Sequence, residues 1–370
     1  MTVTVRSFAK INLGLRIGAA REDGFHELLT VYQTIGLHDV IRVSVGRGAQ
    51  RGTQIEIRCA DPRVPTDESN TCFRIVEKAM QALRAKGRVV IEIEKRLPVQ
   101  GGLGGASANA VATLLGLERA LKKKLPAAER LRIAAEVGSD LPLFLVGGTV
   151  LGVGRGEQVY PLEDLPAMAC VVVTPEVGVS TPKAFAEWDR RMGEQGLKPR
   201  SLIEVDAAPS ASSGQALKGR SSTNSFTDSF VSPNQPGKLT VPSGSDRMDE
   251  LGRGLSAWLG ESCSSAPSDF KSRGGRAENP LLWLVRAGIE NDFEQVVFPE
   301  YPELSDGKGA LLRAGAKYAS LSGSGSTLYG LFESRTAAVL AAGRLRKLGW
   351  AATATATLTR TAYWRRIVAG

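Results

Sequence analysis

Apolar and polar residues alternate almost strictly along the first stretch of the chain, residues 3–17. Successive side chains of a β-strand point to opposite faces, so this pattern predicts a long N-terminal strand. Lys10 and Asn12 share its polar face with Arg6 and Arg16. A lone lysine on a strand usually marks the solvent face, and that interpretation stays open at this point.

Strand and helix patterns follow one another through most of the remaining chain, which predicts an α/β (α+β) protein. Further strands are expected through Val31 and Ile35 and at residues 40–45, 54–59, 89–95, 168–174, 318–322, 327–332 and 351–358. Helices are expected from a cap at Ser69 or Asn70 to a stop at Gly87, and at residues 110–121, 126–137, 302–314 and 336–348. A short helix through Phe185 and Trp188 is expected after the segment 178–182.

A glycine-rich turn separates the strand that ends near residue 95 from the helix that follows. Glycine lets the backbone approach a ligand closely, and a helix start offers unpaired N–H groups and partial positive charge. The turn therefore predicts an anion site, most naturally for a nucleotide phosphate, although a tight connection that binds nothing is the alternative. Its residues are Pro98, Val99, Gln100, Gly101, Gly102, Leu103, Gly104, Gly105, Ala106, Ser107, Ala108 and Asn109.

The turn does not fit the commonest phosphate loops, since it lacks both the Gly-Lys-Ser/Thr of a Walker A loop and a G-x-G-x-x-G pattern. It resembles the Pro-x-x-x-Gly-Leu-Gly-Ser-Ser-Ala-type loop of the GHMP small-molecule kinases. Its form Gly-Gly-Leu-Gly-Gly-x-Ser-x-Asn is similar to that of the 4-diphosphocytidyl-2-C-methyl-D-erythritol kinases of the non-mevalonate isoprenoid pathway. Gln100, Ala106 and Ala108 depart from the family pattern, which removes a hydroxyl contact at position 108 and keeps the backbone donors.

Other segments resemble signatures of the same family in the same order. Ala9-Lys10-Ile11-Asn12-Leu13 resembles its first signature, and the resemblance implies that Lys10 and Asn12 meet the phosphate acceptor. The run from Arg21 to Leu28 resembles the second, which implies that Phe25 stacks on cytosine, His26 reads its polar edge and Tyr32 lines the pocket. A turn histidine bonded to backbone is the alternative for His26.

Three later segments add to this resemblance. Gly138-Ser139-Asp140-Leu141-Pro142 resembles the catalytic segment, which implies that Asp140 is the general base and that Lys10 holds it; a helix cap is the alternative. The resemblance also implies that Thr181, Pro182 and Phe185 border the substrate base. Leu-Ser-Gly-Ser-Gly-Ser at residues 321–326 resembles the third GHMP motif, beside the phosphates, with a plain hairpin loop as its alternative.

Composition limits the remaining possibilities. A chain of 370 residues can hold two domains, and a net charge of +9 fits a ligand with several phosphates as well as nucleic acid. The run Lys122-Lys123-Lys124 is interpreted first as a solvated helix end. Four cysteines without Cys-x-x-Cys spacing and only two histidines make a zinc site improbable. Neither a signal peptide nor a membrane span is expected.

The resemblance implies a two-domain GHMP kinase fold, with an ATP-binding domain at residues 1–162 and a ferredoxin-like domain at 163–370. Residues 196–278 are rich in Ser, Gly, Pro and Asn, so we expect a long low-complexity insertion that is mostly disordered. An amphipathic turn or two at residues 248–259 is expected within it.

The predicted function is therefore ATP-dependent phosphorylation of the 2-hydroxyl of 4-diphosphocytidyl-2-C-methyl-D-erythritol. ATP and Mg²⁺ are the expected cofactors; the sequence indicates no metal carboxylate, and Ser107 is a weak ligand candidate. We expect a cytoplasmic monomer or weak homodimer that acts on a small molecule, without nucleic acid or membrane. A homoserine or mevalonate-type kinase is the alternative enzyme, and a basic nucleic-acid-binding protein is the alternative outside enzymes.

Overall fold

The computed structural model describes residues 2–46, 52–194 and 290–368, which all belong to one compact unit. The predicted insertion, residues 196–278, lies outside the described residues. The strands are β1 (Thr2–Ala20), β2 (His26–Gly46), β3 (Gln54–Cys59), β4 (Arg88–Glu94), β5 (Thr149–Val153), β6 (Gln158–Pro161), β7 (Ala169–Val173), β8 (Tyr318–Leu321), β9 (Leu328–Phe332) and β10 (Ala352–Ala356). The helices are α1 (Thr71–Ala82), α2 (Gly105–Leu121), α3 (Ala127–Val137), α4 (Leu141–Val146), α5 (Thr181–Glu194), α6 (Glu294–Glu300), α7 (Pro302–Arg313), α8 (Arg335–Lys347) and α9 (Arg360–Ile367).

The first sheet is built on two long antiparallel strands, β1 and β2. Strand β2 is continuous over 21 residues, so the prediction of two separate strands there is wrong. The order β3-β4-β2-β5-β6 continues the sheet, with β1 paired to β2. Register shifts in β1 at Phe8/Lys10 and Asn12/Gly14 flank the two polar residues and re-aim the strand locally.

The solvent-face interpretation of Lys10 is wrong. Lys10 is 4% exposed and Asn12 is 2% exposed, because both faces of β1 are covered. On the other face of the strand, Ile11 and Leu13 join one apolar cluster with Tyr329 of β9. Burial of two polar side chains costs free energy unless they are paired, so their partners matter for the site.

The second sheet has the order β10-β7-β9-β8 and is antiparallel throughout. Its strands and the helices α5, α7 and α8 include the β-α-β-β-α-β succession of a ferredoxin-like unit, which confirms the predicted fold. Helix α8 packs on it through buried Ala338, Ala341 and Leu345. The domain division at residue 162 stays a prediction.

Some elements differ from the sequence-based expectation. Helix α1 is capped by Asn70, whose Oδ1 accepts from the Cys72 N–H at 2.8 Å, and it ends at Ala82 rather than at Gly87. Strands β5 and β6 were not predicted, because the glycine-rich stretch around them hides a two-residue period. Helix α9 was missed as well, since it is short and polar and buries only Tyr363 and Ile367.

Candidate active site

A cleft of about 940 Å³ runs along the glycine-rich turn and the polar face of β1. Most sequence-predicted site residues line it. They are Lys10, Asn12, Phe25, His26, Tyr32, Pro98, Val99, Gln100, Gly101, Gly102, Leu103, Gly104, Gly105, Ala106, Ser107, Asn109, Asp140, Thr181 and Phe185. Two predicted residues, Ala108 and Pro182, lie outside this lining; Ala108 is buried in α2 and Pro182 is the second residue of α5.

The glycine-rich turn takes a conformation that depends on glycine. Gly104 caps α2 in the left-handed region at φ 68°, and Gly102 has φ 77°. A Cβ on Gly102 would lie 2.2 Å from the carbonyl oxygen of Ser322, so no side chain fits there. Helix α2 begins at Gly105, and its first N–H groups therefore open toward the cleft as an anion site.

The third GHMP motif, residues 321–326, and the residue after it hold the glycine-rich turn in place. The Ser322 hydroxyl donates to the Gly102 carbonyl at 3.0 Å, and the Thr327 N–H donates to the Gly101 carbonyl at 3.2 Å. Asn291 in turn donates to the carbonyls of Leu321 and Gly323 at 2.9 and 2.8 Å. The hairpin-loop interpretation is therefore incomplete, because this loop is bonded to the predicted phosphate loop.

A buried carboxylate fixes the other end of the turn. Asp39 accepts from Lys95 Nζ at 2.6 Å and from the N–H groups of Arg96 and Leu97 at 2.7 Å each. Asn109 Nδ2 also donates to Asp39, at 3.0 Å. The Asn109 amide is thus engaged in holding α2 to β2, and its Oδ1 is buried with no hydrogen-bond partner.

Lys10, Asn12, Tyr32 and Asp140 meet at the centre of the cleft. Lys10 Nζ donates to Asn12 Oδ1 at 2.6 Å and to the Gly102 carbonyl at 2.9 Å, and it lies 3.8 Å from Asp140 Oδ2. The Tyr32 hydroxyl donates to Asp140 Oδ1 at 3.2 Å, and the ring lies 5.5 Å from Lys10 Nζ. One ammonium therefore connects the phosphate loop to a carboxylate.

Burial shifts the pKa values of Lys10 and Tyr32. It lowers the pKa of Lys10 below its usual value, and the nearby Asp140 carboxylate opposes that change. Burial, together with Asp140, raises the pKa of Tyr32 well above its usual value, so the phenol stays protonated and acts as a donor. The carboxylate thus faces one cation and one neutral donor.

The side chain of Asp140 does not cap a helix, although the residue lies at a helix start. Asp140 occupies the N-cap position of α4, but its side chain makes no capping hydrogen bond. Its oxygens instead face Lys10 and Tyr32. The carboxylate is therefore available to the cleft, where it is one-third exposed, at 33%.

Aromatic side chains form the far end of the cleft. The His26 ring stacks on Phe185 with centroids 4.8 Å apart and 12° between the planes, and Phe293 meets Phe185 edge-on. Phe25 is 53% exposed. The Thr181 and Ser324 hydroxyls are 2.7 Å apart, so the third GHMP motif also reaches this end.

Two residues that sequence reasoning missed lie here. The Arg155 guanidinium sits 5.0 Å from the centre of the Phe25 ring. Asp189 Oδ1 lies 2.7 Å from His26 Nε2, so the alternative interpretation of His26 as a turn histidine bonded to backbone is wrong. The available signal was the four-residue spacing of Phe185 and Asp189, which puts both on one helix face.

No group of three or more His, Cys, Asp or Glu side chains among the described residues could hold a metal ion. The described helices also include none that is both long and apolar enough to cross a membrane. The candidate site thus combines an anion-binding loop, a buried ammonium and a carboxylate in one cleft, with aromatic side chains at its far end.

Comparison with known proteins agrees with this arrangement. Residues 70–148 match the family model for the GHMP kinases N terminal domain, and residues 281–349 match that for GHMP kinases C terminal. A 4-diphosphocytidyl-2-C-methyl-D-erythritol kinase of Solibacter usitatus is 34% identical over 90% of this chain and 82% of its own length. That of Acaryochloris marina is 31% identical over 93% and 91%. A crystal structure of 4-(cytidine 5'-diphospho)-2C-methyl-D-erythritol kinase superposes with a TM-score of 0.62 at 25% identity, covering 96% of this chain and 98% of that one.

Proposed function

This chain belongs to the family of 4-diphosphocytidyl-2-C-methyl-D-erythritol kinases, and we propose that it transfers the γ-phosphoryl group of ATP to the 2-hydroxyl of 4-diphosphocytidyl-2-C-methyl-D-erythritol. The observation that carries the proposal is the position of Lys10, bonded to the Gly102 carbonyl of the anion loop and 3.8 Å from the Asp140 carboxylate. A phosphate donor and an alcohol acceptor would meet at that point.

In the proposed reaction Asp140 accepts the proton of the substrate hydroxyl. The hydroxyl oxygen forms a bond to the γ-phosphorus, and the bond from that phosphorus to the ADP oxygen breaks. General-base help of this kind contributes about 10² to 10⁴ in rate. Tyr32 keeps the carboxylate in position through its hydrogen bond to Oδ1.

Lys10 stabilises the negative charge that develops during transfer. Its ammonium is enclosed at 4% exposure, and an electrostatic interaction is stronger where water is excluded. Asn12 accepts from Lys10 and donates to the Thr30 hydroxyl at 2.7 Å, which fixes both polar side chains of β1. This fixed geometry lets the charge be stabilised without reorganisation at the moment of reaction.

The glycine-rich turn is the proposed ATP phosphate site. Its backbone N–H groups at the start of α2 fit a phosphate, and the left-handed Gly102 and Gly104 let the turn pack closely against Ser322 and Phe144, which fixes those donors in place. Mg²⁺ offsets phosphate charge in reactions of this class. A single loop hydroxyl, that of Ser107, fits a Mg²⁺ ion held mainly by phosphate oxygens and water, which is a usual arrangement for this ion.

The aromatic end of the cleft is the proposed cytosine site. An exposed Phe25 ring offers a stacking face, and His26 offers a polar edge beside Phe185. Homoserine and mevalonate carry no base that would use these rings, so the pocket favours the cytidine substrate over those of related kinases. We also propose that the enzyme is cytoplasmic and works as a monomer or weak homodimer, without nucleic acid.

Release of ADP in a coupled assay tests the proposal across candidate alcohols. We expect turnover with 4-diphosphocytidyl-2-C-methyl-D-erythritol at least about a hundredfold above that with homoserine or mevalonate, because a base–aromatic stack and base hydrogen bonds are lost for both. Turnover with homoserine or mevalonate that equals or exceeds it would contradict the proposed substrate.

A further inference from the structure

Helix α5 brings a carboxylate to the histidine of the aromatic pocket. Phe185 and Asp189 lie four residues apart on α5, and both contact His26. Phe185 stacks on the imidazole face, while Asp189 Oδ1 lies 2.7 Å from Nε2. His26 is buried at 8% exposure, whereas the Asp189 side chain is 55% exposed.

The Asp189 contact determines which nitrogen of His26 carries the proton. An ionised carboxylate only accepts hydrogen bonds, so Nε2 must be the N–H group. A neutral imidazole has one N–H, and Nδ1 is then an acceptor. Nδ1 has no hydrogen-bond partner among the described residues, and His26 lines the cleft.

An acceptor at this position distinguishes between two pyrimidines. Cytosine presents an amino group, a donor, where a uracil-type base presents a carbonyl oxygen, an acceptor. A base hydrogen-bonded in the plane of His26 also lies nearly parallel to Phe185, because the His26 and Phe185 rings differ by 12°. In one pose, cytosine can therefore donate its amino group to Nδ1 of His26 and keep its ring parallel to Phe185.

We propose that Asp189 is a positioning residue that holds His26 in the Nε2–H form, and that this form selects an amino-pyrimidine nucleotide over its uracil counterpart. The base-selection part of this inference rests on the proposed function. Asp189 lies outside the cleft lining and acts through its contact with His26.

The test uses two variants and one control in the full chain. Asp189→Asn gives Nε2 a partner that can donate as well as accept, and Asp189→Ala removes the partner. Glu187→Gln, two residues earlier, is the control, because Glu187 pairs with Arg190 and Arg191 instead of His26. ¹⁵N NMR of histidine-labelled protein at pH 8 reads the form of each imidazole directly.

The chain has only two histidines, which makes this spectrum easy to interpret. His38 Nδ1 lies 2.9 Å from the Gly36 carbonyl, so His38 must donate from Nδ1 and take the opposite form. We expect one Nε2–H and one Nδ1–H histidine in the wild-type chain and in Glu187→Gln. In both Asp189 variants the His26 signals should move toward a mixture while those of His38 stay unchanged.

Binding of cytidine diphosphate and uridine diphosphate, measured by calorimetry at pH 8, provides the functional result. We expect the wild-type preference for the cytidine nucleotide to be at least about tenfold and to fall to within about threefold in Asp189→Asn, since a lost or mismatched buried hydrogen bond changes affinity by such factors. An unchanged preference, or an Nδ1–H form of His26 in the wild-type chain, would overturn the inference.

The two proposals fail in different ways. Absence of kinase turnover in the ADP-release assay contradicts the proposed function, whereas the NMR form of His26 and the ratio of the two affinities still decide the role of Asp189. Normal turnover with an unchanged affinity ratio in Asp189→Asn contradicts only the role of Asp189.

Discussion

Lys10 Nζ lies 3.8 Å from Asp140 Oδ2, but its two short hydrogen bonds go to Asn12 and to the Gly102 carbonyl. The ammonium is therefore anchored by neutral groups and remains beside the carboxylate without being tightly paired to it. Such an arrangement leaves Asp140 free to accept a proton while the cation is already in place.

Asp140→Asn keeps the shape of the side chain and removes proton acceptance. We expect turnover to fall about a hundredfold or more, in line with the contribution of a general base. Urea unfolding should show some loss of stability, because the buried Lys10 loses the carboxylate beside it, although no capping hydrogen bond to α4 is lost. Asp306→Asn, at an exposed position of α7, serves as the control and should keep full turnover. Near-normal turnover in Asp140→Asn would remove Asp140 from the mechanism.

Lys10→Met separates the cost of burying the ammonium from its role in catalysis. The folded-state pKa of Lys10 is lowered by burial from the usual 10.5, so between the two values the unfolded chain binds more protons than the folded one. The stability of the wild-type chain relative to Lys10→Met should therefore rise as pH increases through that window.

Urea unfolding of both proteins at several pH values up to 10.5 measures this difference. Lys86→Met, at an exposed lysine, controls for the loss of one positive charge. Activity of Lys10→Met should be lost at every pH. A stability difference that stays flat as pH rises would mean that Lys10 is better solvated than its contacts indicate, and one that falls would mean that pairing with Asp140 outweighs burial.

Phe25→Ala removes the exposed ring at the proposed base site. We expect binding of the cytidine substrate to weaken by about 1–3 kcal/mol, the usual contribution of a base–aromatic stack. Affinity for ATP should barely change, because its phosphates belong to the glycine-rich turn. Phe298→Ala is a matched control, since that ring also carries a cation, Lys308, at 5.6 Å and lies outside the cleft lining. Equal losses for both ligands would contradict the assigned sites.

Gly102→Ala places a Cβ 2.2 Å from the Ser322 carbonyl oxygen at φ 77°. We expect a large rise in the KM for ATP, because the turn must shift to relieve this overlap with backbone. Gly349→Ala has similar backbone strain at φ 89° with nothing within 4 Å, so it should lose only about 1–2 kcal/mol of stability and keep its KM. Similar KM values in the two variants would show that loop geometry does not govern ATP binding.

Sequence patterns predicted the local geometry of the site well. The alternation along β1 placed Lys10 and Asn12 on one face, and the glycine run predicted a tight loop. Gly102 and Gly104 are left-handed in that loop, and so is Gln100, at φ 59°, where the sequence has no glycine. These features depend on short-range rules of strand period and backbone freedom, so they are readable from neighbouring residues alone.

Tertiary features were not accessible in the same way. Burial of Lys10 depends on Gly102, 92 positions away in the chain, and the Asp189 contact with His26 spans 163 positions. No local pattern encodes which carboxylate will reach a given histidine. The polar helix α9 and the glycine-flanked strands β5 and β6 were missed because their periodicity is weak, although tertiary packing stabilises them.

The position of the transferred phosphate tests the central claim most directly. Proton-coupled ³¹P NMR of a reaction of the wild-type chain with ATP and 4-diphosphocytidyl-2-C-methyl-D-erythritol distinguishes the hydroxyls, because the carbon at position 2 carries a methyl group and no hydrogen. We predict one new phosphate monoester resonance that is a singlet, formed as ADP appears. A monoester signal split by hydrogens of a neighbouring carbon, or ADP formation without a new monoester, would contradict transfer to the 2-hydroxyl.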